Sequence, residues 1–411
     1  MAPSGRPIGE ALGVIRRRRG LTQEQLAERS AVSLSVIRKL ERNDRDSASL
    51  ATLRKLAGAL DVTTVELFQP TPQFERPPAD DDGELYAIRR SLQPARSLGS
   101  QPAVTLADVE QTPTLDTLRD SVREINGLFR DSNYAAAVAA LPSAIEHARL
   151  ATMDPPATER DEMWRQLSQT YLTAGMILIQ IRRDDLAYHA LGLAIDAGRE
   201  INDDVLVASA VCSENWLLTR QGRFDDAERA ALNSAEAIEP SFTRSPLWHV
   251  AVWGWLNLGA AAAATRNNRV DVADEALRRA RAAAYITARY RSPHVAHWTG
   301  LSPSVVTMRQ VELAVVAGDV DQALRHAREV PDDATPRVTH QRFLLDVAAA
   351  HLERRQREEA LAILLGLHST VPGWLRHQRY ARSLTGQLLR GRARTIPTPL
   401  RELADFLDVQ D

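Results

Sequence analysis

The sequence predicts an all-α protein in which a small N-terminal helical module precedes a long stack of helical hairpins. Three observations support this. Apolar residues near the N-terminus recur at helical spacing between cap signals, six similar turns recur further along the chain, and the apolar/polar alternation typical of strands appears nowhere. The predicted divisions are a module at residues 1–70, a linker with a short helix at 71–115 and a repeat domain at 116–411.

Residues 8–68 predict five short helices, of which the first ends at Gly20 after four arginines. Its inward residues are predicted to be Ile8, Ala11, Leu12 and Ile15. Basic residues complement the negative end of a helix dipole, so Arg17, Arg18 and Arg19 are interpreted first as a solvated last turn.

Two cap signals mark the next helices. Thr22 and Gln25 form a T-x-x-Q capping box, and Ser33 is expected to cap the third helix after a turn. The spacing places Leu26, Ala27, Ile37 and Leu40 inward and leaves Leu34, Ser35, Arg38 and Lys39 outward.

The fourth and fifth helices complete the module. Inward residues of the fourth are predicted to be Leu50, Leu53, Leu56, Ala57 and Leu60, and a T-x-x-E box at Thr63 and Glu66 opens the fifth. The following residues are Pro-rich and acidic, interrupted by an amphipathic stretch at 84–92 that is expected to dock on the next domain.

Six turns define a repeat in the rest of the chain. In each, a basic or polar lead residue is followed five positions later by an alanine, and the alanines are Ala137, Ala187, Ala227, Ala273, Ala323 and Ala360. This pattern predicts helix-turn-helix repeats whose small alanine permits close packing, stacked into a superhelix with a concave side lined by first helices.

Counting back from each alanine places a set of polar and aromatic side chains on the concave side. They are Gln169, Trp216, Trp255, Arg309, Glu312 and Arg342. Trp with Arg, Gln and Glu suits a ligand with an apolar part and charged ends. Packing within the repeat remains the alternative for each Trp, and Trp248, Trp253 and Trp255 are open to core, pocket or dimer roles.

Charge and composition narrow the class of protein. Residues 1–70 carry 12 basic against 8 acidic residues, a net +4, so the remaining 39 against 45 give −6. This favours polyanion contact by the N-terminal module. A single cysteine, Cys212, excludes an intramolecular disulfide and fits a reducing compartment; we expect a cytoplasmic protein without membrane contact.

Motifs for catalysis and for cofactors are absent from the sequence. It has no Gly-rich phosphate loop, nucleophile elbow or H-E-x-x-H, so we expect no enzyme activity and no cofactor. His294 and His297 lie three apart without a third ligand in view, which argues against a metal site. Cys212 is interpreted as a buried structural thiol.

Residues 8–68 resemble DNA-binding domains of the phage-repressor or XRE type. The matching residues are Leu21, Thr22, Gln23, Glu24, Leu26, Ala27, Val32, Ser33, Ile37, Glu41 and Arg42. The sequence departs from the pattern at Ala31 and Asn43, where the family usually has Gly. The resemblance also implies a buried ion pair between Arg16 and Glu41.

The resemblance assigns DNA contacts residue by residue. Thr22, Gln23 and Ser33 are expected to bind phosphate, and Arg42 and Asn43 the DNA backbone. The expected base readers are Leu34, Ser35, Val36, Arg38 and Lys39, with Arg or Lys suited to guanine and Leu or Val to the thymine methyl. Because one module covers few base pairs, a homodimer on a palindromic operator in double-stranded DNA is expected.

The later repeats look like tetratricopeptide repeats, and the tandem arrangement is similar to actinobacterial regulators and, more remotely, to peptide-sensing quorum-sensing regulators. The hypothesis is a transcriptional regulator whose repeat domain binds a peptide or small metabolite. The alternative is an interaction adaptor whose repeats bind a protein and whose N-terminal module only docks.

Overall fold

The computed structural model describes residues 9, 12–13, 16, 21–42, 48–60, 82–94, 113–289, 300–331, 337–390 and 396–409. Within these ranges the chain forms nineteen α-helices and no β-strand, which confirms the predicted all-α class. The helices are α1 (Gln23–Ser30), α2 (Leu34–Glu41), α3 (Leu50–Leu60), α4 (Asp82–Leu92), α5 (Leu115–Arg130), α6 (Tyr134–Ala151), α7 (Arg160–Gln180), α8 (Asp184–Glu200), α9 (Asp204–Arg220), α10 (Phe224–Ala237), α11 (Leu247–Arg266), α12 (Val270–Arg289), α13 (Pro303–Ala317), α14 (Val320–Ala327), α15 (Arg337–Glu353), α16 (Arg357–Thr370), α17 (Pro372–Leu375), α18 (Arg379–Arg390) and α19 (Thr398–Phe406). No helix among them is long and apolar enough to cross a membrane.

The N-terminal module has its own core around α1, α2 and α3. The predicted capping box is confirmed: the Gln25 N–H donates to Thr22 Oγ1 at 3.1 Å, and the Thr22 N–H donates to Gln25 Oε1 at 2.9 Å. The apolar pattern correctly placed a buried set, which comprises Leu12, Leu26, Ile37, Leu40, Leu53, Leu56, Ala57 and Leu60. This core fixes the angle between α1 and α2.

One prediction for the module is wrong, and several others concern residues outside the described ranges. Ser33 occupies the N-cap position of α2, but its hydroxyl makes no cap bond and lies 3.3 Å from Ser35 Oγ. The predicted fifth helix with Thr63 and Glu66 lies outside the described residues. So do four predicted features of the first helix, which are Ile8, Ala11, Ile15 and the arginines at 17–19.

The repeat turns share one backbone geometry. Their lead residues all adopt a positive φ, and they are Ser132, Arg182, Gly222, Asn268, Gly318 and Arg355. The next residue in each turn donates its N–H to the carbonyl five positions earlier, at 2.8 to 3.0 Å. This is the Schellman closure that satisfies the end of a helix. The six predicted alanines are all buried, so the second helix of each hairpin lies close to the first.

The segment between the module and the hairpins contributes a docked helix. Leu85, Ile88 and Leu92 of α4 are buried in the core that α6 and α8 share. The Arg149 guanidinium donates to the Ser91 carbonyl at 3.1 Å, which adds a polar anchor at the end of α4. The amphipathic pattern in the linker therefore reflects packing on the repeats.

The module packs directly on the repeats through α3 and α13. Arg54 of α3 is 9% exposed, and its Nε and Nη1 have no hydrogen-bond partner among the described residues. Burial, together with the positive charge of Arg266, lowers the pKa of Arg54 to about 9. At the end of α13, a side chain on Gly318 would clash with Ala51. The module and the repeats thus share a close interface that buries a charged side chain.

Candidate nucleic-acid interface and central cavity

The outer face of α2 carries the predicted base readers. Ser35, Arg38 and Lys39 are exposed, Leu34 and Val36 are half-buried, and Thr22, Ser33 and Arg42 are exposed around them. Val36 packs partly against the module core, so it is less available to a thymine methyl than the sequence suggested. Asn43 lies outside the described residues.

A buried ion pair holds the helix α2 to the segment before α1. Arg16 Nε donates to Glu41 Oε1 at 2.7 Å and Nη2 donates to Oε2 at 3.0 Å, as the resemblance implied. Arg16 Nη1 also donates to the Leu21 carbonyl at 2.7 Å. The bond to Glu41 raises the pKa of Arg16 against the opposing effect of burial. A bidentate pair of this kind restricts the orientation of α2.

Gln23 takes part in this anchor. Its Nε2 donates to Glu41 Oε2 at 2.6 Å, so one of its two amide hydrogens is used within the module. The expectation of a phosphate contact therefore applies to the second hydrogen alone. The main role of Gln23 in the structure is to extend the Arg16–Glu41 network.

Arg38 makes a surface ion pair within the module. Its Nη2 donates to Glu24 Oε1 at 2.9 Å, and both side chains are well exposed, by 47% and 59%. The backbone N–H of Glu24 and then Arg38 hold the pKa of the Glu24 carboxyl below its usual range. Because exposed pairs are weak, Arg38 remains accessible to a competing phosphate or base edge.

A cavity of about 750 Å³ lies among the repeats. The first helix of all six hairpins lines it, as do residues at the start of α18. The lining residues that bear on its chemistry are Phe129, Arg130, Asp131, Met176, Gln180, Arg182, Cys212, Trp216, Arg220, Trp255, Arg266, Met308, Arg309, Glu312, Arg337, Arg342, Phe343, Asp346, Gln378, Arg379 and Tyr380. Its size is that of a site for a small organic molecule.

Five of the six residues predicted on the concave side line this cavity: Trp216, Trp255, Arg309, Glu312 and Arg342. Gln169 does not. It lies on the same face of α7, but the lining on that helix begins further along, at Met176. The prediction therefore identified the correct face of α7, but it placed the cavity too near the start of that helix.

Sequence reasoning missed a row of donors at the ends of the first helices. Arg130, Gln180, Arg220 and Arg266 each lie seven residues before a repeat alanine, and all four line the cavity. They share the helical face of the predicted residues and lie about one to three turns closer to the repeat turn. The same count from the alanines would have found them.

Two buried carboxylates organise the charge inside the cavity. Arg266 Nη2 donates to Glu312 Oε1 at 2.6 Å, and Arg309 donates to the other oxygen. Burial raises the pKa of Glu312, but the arginines outweigh it and hold the pKa far below its usual range. Asp346 has a more distant partner, Arg342, at 3.6 Å. Burial raises the pKa of Asp346 to about 6.

Aromatic residues form part of the wall. The Arg220 guanidinium lies over the Trp216 ring at 5.6 Å, and that of Arg342 lies over the Tyr380 ring at 4.6 Å. Such stacking orients each guanidinium group.

The three neighbouring tryptophans of α11 have three different environments. Trp253 is in the core, Trp255 lines the cavity and Trp248 is 39% exposed. The core role is thereby assigned to Trp253 and the pocket role to Trp255, whereas a dimer role for Trp248 stays a prediction.

The lone cysteine has the environment of a structural residue. Cys212 donates to the Val252 carbonyl at 3.7 Å, and burial raises the pKa of its thiol far above its usual range, which suits a structural role. His294 and His297 lie outside the described residues, and the described part of the chain contains no cluster of three metal-ligating residues.

Comparison with known proteins identifies the module. A helix-turn-helix family model matches residues 14–67. The chain is 41% identical over 66 residues to "Uncharacterized HTH-type transcriptional regulator y4dJ" of Sinorhizobium fredii, which covers 16% of this chain and 84% of that protein. It is 46% identical over 55 residues to "Immunity repressor protein" of Bacillus phage phi105, which covers 13% of this chain and 38% of that protein. This chain therefore belongs to the helix-turn-helix family of transcriptional regulators.

Proposed function

We propose that this protein binds a palindromic operator as a homodimer and that an effector in the central cavity changes its affinity for DNA. The observation that carries the first part is the exposed face of α2, where Arg38 and Lys39 project from a helix anchored by Arg16 and Glu41. A rigid helix with exposed basic and small side chains is what major-groove reading requires. We propose a homodimer because one module contacts too few base pairs to select a site by itself.

The contact between module and repeats supports the second part. Helix α13 supplies Met308, Arg309 and Glu312 to the cavity and packs against α3 of the module. The positive charge of Arg266, which lines the cavity, lowers the pKa of Arg54 in α3. An effector that favours one arrangement of α13 would shift the population of module positions. Coupling of about 1 to 3 kcal/mol is the usual scale.

The remaining features of the proposal come from the repeats. We assign them to the tetratricopeptide-like class because a left-handed lead residue and a buried alanine recur in six hairpins. Their role is ligand binding and dimer formation in the cytoplasm, without catalysis. A peptide and a small metabolite both suit a cavity with an aromatic wall and charged ends.

The test is DNA selection with the purified full chain. Genomic fragments are selected on the protein, and the best site is then titrated over salt against an unrelated duplex. We expect a palindrome and a steep fall of affinity with salt. Arg38→Ala with Lys39→Ala should abolish the preference for that site. Lys55→Ala with Arg89→Ala, which removes two exposed positive charges elsewhere, should preserve it.

A chain that selects no sequence, with or without cell extract, would contradict the proposal. Retention of a specific protein partner by the double Arg38 and Lys39 variant would then favour the interaction adaptor. Equal loss of DNA binding in the test and control variants would indicate that charge alone, rather than the face of α2, determines binding.

A further inference from the structure

We propose that the effector is an organic anion, with a carboxylate or phosphate group bound by Gln180 and the surrounding arginines and an apolar body against the aromatic wall. This inference rests on the proposed use of the cavity as the effector site and names the chemical class that fits it.

The lining has a large excess of positive charge. Eight arginines face three carboxylates, from Asp131, Glu312 and Asp346. Glu312 is shared by two of these arginines and Asp346 is adjacent to a third. A cavity with five more positive than negative groups favours an anionic ligand.

Gln180 supplies the donor that points to a ligand. It is 2% exposed and lines the cavity, and its Oε1 accepts from Trp374 Nε1 at 3.0 Å. An indole N–H can only donate, so this bond fixes the orientation of the amide. Nε2 is then a buried donor, and it has no partner among the described residues. Buried donors in proteins are normally satisfied, so this one indicates an acceptor on the ligand.

The arginines near Gln180 form one cluster. Arg220 Nη1 donates to the carbonyl of Ile179, the residue before Gln180, at 2.8 Å. Burial lowers the pKa of Arg182, Asp184 at 3.7 Å opposes this effect, and the positive charges of Arg379 and Arg342 lower the pKa further. An anionic group placed among these side chains would relieve their mutual repulsion and accept several charge-assisted hydrogen bonds.

The rest of the cavity wall would contact the apolar part of the ligand. Trp216, Trp255, Met176, Met308 and Phe343 provide aromatic and thioether surface within the same cavity. Such surface contributes binding energy but little orientation, which the anionic group would provide. A free inorganic anion would leave this wall unused.

A pair of dyes tests the anionic requirement directly. Anilinonaphthalene sulfonate is an aromatic anion, and N-phenylnaphthylamine has the same rings without the charge. Titration of the full chain should show saturable binding of the sulfonate, about tenfold tighter than the neutral dye. The preference should weaken with salt.

Gln180→Glu is the decisive variant. Its carboxylate can still accept from Trp374 and can pair with the arginine cluster, so the melting temperature should not fall. The anionic dye should lose about tenfold or more in affinity while the neutral dye is unchanged. Gln322→Glu, the same change at an exposed site in the first turn of α14, should alter neither. Arg379→Gln should weaken the anionic dye, and Arg325→Gln should not.

Equal affinity for the two dyes, no saturable binding of the sulfonate, or the same affinity in Gln180→Glu and Gln322→Glu would overturn the anionic assignment. Aromatic carboxylates and aromatic phosphates tested as competitors of the dye then distinguish the two sources of negative charge. The dye assay contains no DNA. Failure to bind DNA would therefore contradict the proposed function and leave the anion site intact. Equal affinity for the two dyes would contradict the anion site and leave the proposed DNA binding intact.

Discussion

Arg38 donates to Glu24 across 2.9 Å, so the helix that carries the predicted base readers is tied to the first turn of α1 by an exposed ion pair. A DNA phosphate or guanine near Arg38 must compete with this carboxylate. We therefore expect Glu24→Gln to bind DNA more tightly, by about two- to tenfold at low salt, because it frees Arg38 and removes one negative charge.

Fluorescence anisotropy with the selected operator, measured at several salt concentrations, checks this prediction. Glu28→Gln is the matched control, since Glu28 is an exposed carboxylate one turn further along α1. A larger gain in Glu24→Gln than in Glu28→Gln assigns the effect to the pair with Arg38. Equal gains would show that net charge alone is responsible.

Ala31 adopts a left-handed conformation, with φ of 50°, at the end of α1. This conformation costs an L-residue roughly 1 to 2 kcal/mol, which glycine avoids, although glycine also loses more entropy on folding. We expect Ala31→Gly to stabilise the module by about 0.5 to 1 kcal/mol.

Hydrogen exchange of the α1 and α2 amides in the full chain measures this local change. Ala27→Gly makes the same chemical change inside α1, where it should destabilise by about 1 kcal/mol. Slower amide exchange in Ala31→Gly together with faster exchange in Ala27→Gly would support the conformational explanation. If both variants lower protection, the strain at Ala31 is smaller than the additional entropy that glycine loses on folding.

The sequence was sufficient for features set by local geometry. The capping box of Thr22 and Gln25 and the six buried alanines depend on residues a few positions apart, so periodicity and cap chemistry predicted them. Five cavity residues also follow from helical phase, because first helices share one face. The prediction for Gln169 was wrong because helical periodicity gives the face of α7 but not how far along the helix the cavity extends.

Features that depend on contact between distant segments were not predictable. Arg54 lies off the apolar stripe of α3, which suggests an exposed residue, and it becomes buried only where the module packs on the repeats. The unpartnered donor of Gln180 likewise depends on Trp374, 194 positions away along the chain. Neither relationship leaves a periodic signal.

Asp346 should make anion binding depend on pH. Burial raises its pKa to about 6, so it is charged above this pH and neutral below it. Its charge is disfavoured by folding, and the associated loss of stability is relieved as the pH falls through 6. Glu312 stays ionised with Arg266 and Arg309, so the net positive charge of the cavity grows by one unit near pH 6.

Binding of the sulfonate dye should therefore tighten by about three- to tenfold between about pH 7.5 and about pH 5. Asp346→Asn imitates the neutral acid and should bind tightly at both values. Asp131→Asn removes another carboxylate of the lining and should keep the pH dependence. A pH dependence that survives in Asp346→Asn would assign the titration to a different group.

Gly318 lies where the end of α13 meets the module. Its φ is 76°, and a Cβ there would clash with the Cβ of Ala51 in α3. Gly318→Ala should therefore suffer both the strain of the left-handed conformation, about 1 to 2 kcal/mol, and displacement of α3 from α13. Gly222→Ala carries the same backbone strain, since Gly222 has φ of 77° in the turn between α9 and α10.

Hydrogen exchange of the α3 amides separates the two effects. Exchange should be faster in Gly318→Ala than in Gly222→Ala, because displacement of α3 leaves its amides less protected. Intrinsic operator binding should persist in Gly318→Ala, since Arg38 and Lys39 lie on α2. The response of DNA binding to a cavity ligand should be lost, because that response requires α13 and α3 to move together. Equal α3 exchange in the two variants, with the ligand response retained, would show that this contact does not connect the cavity to the module.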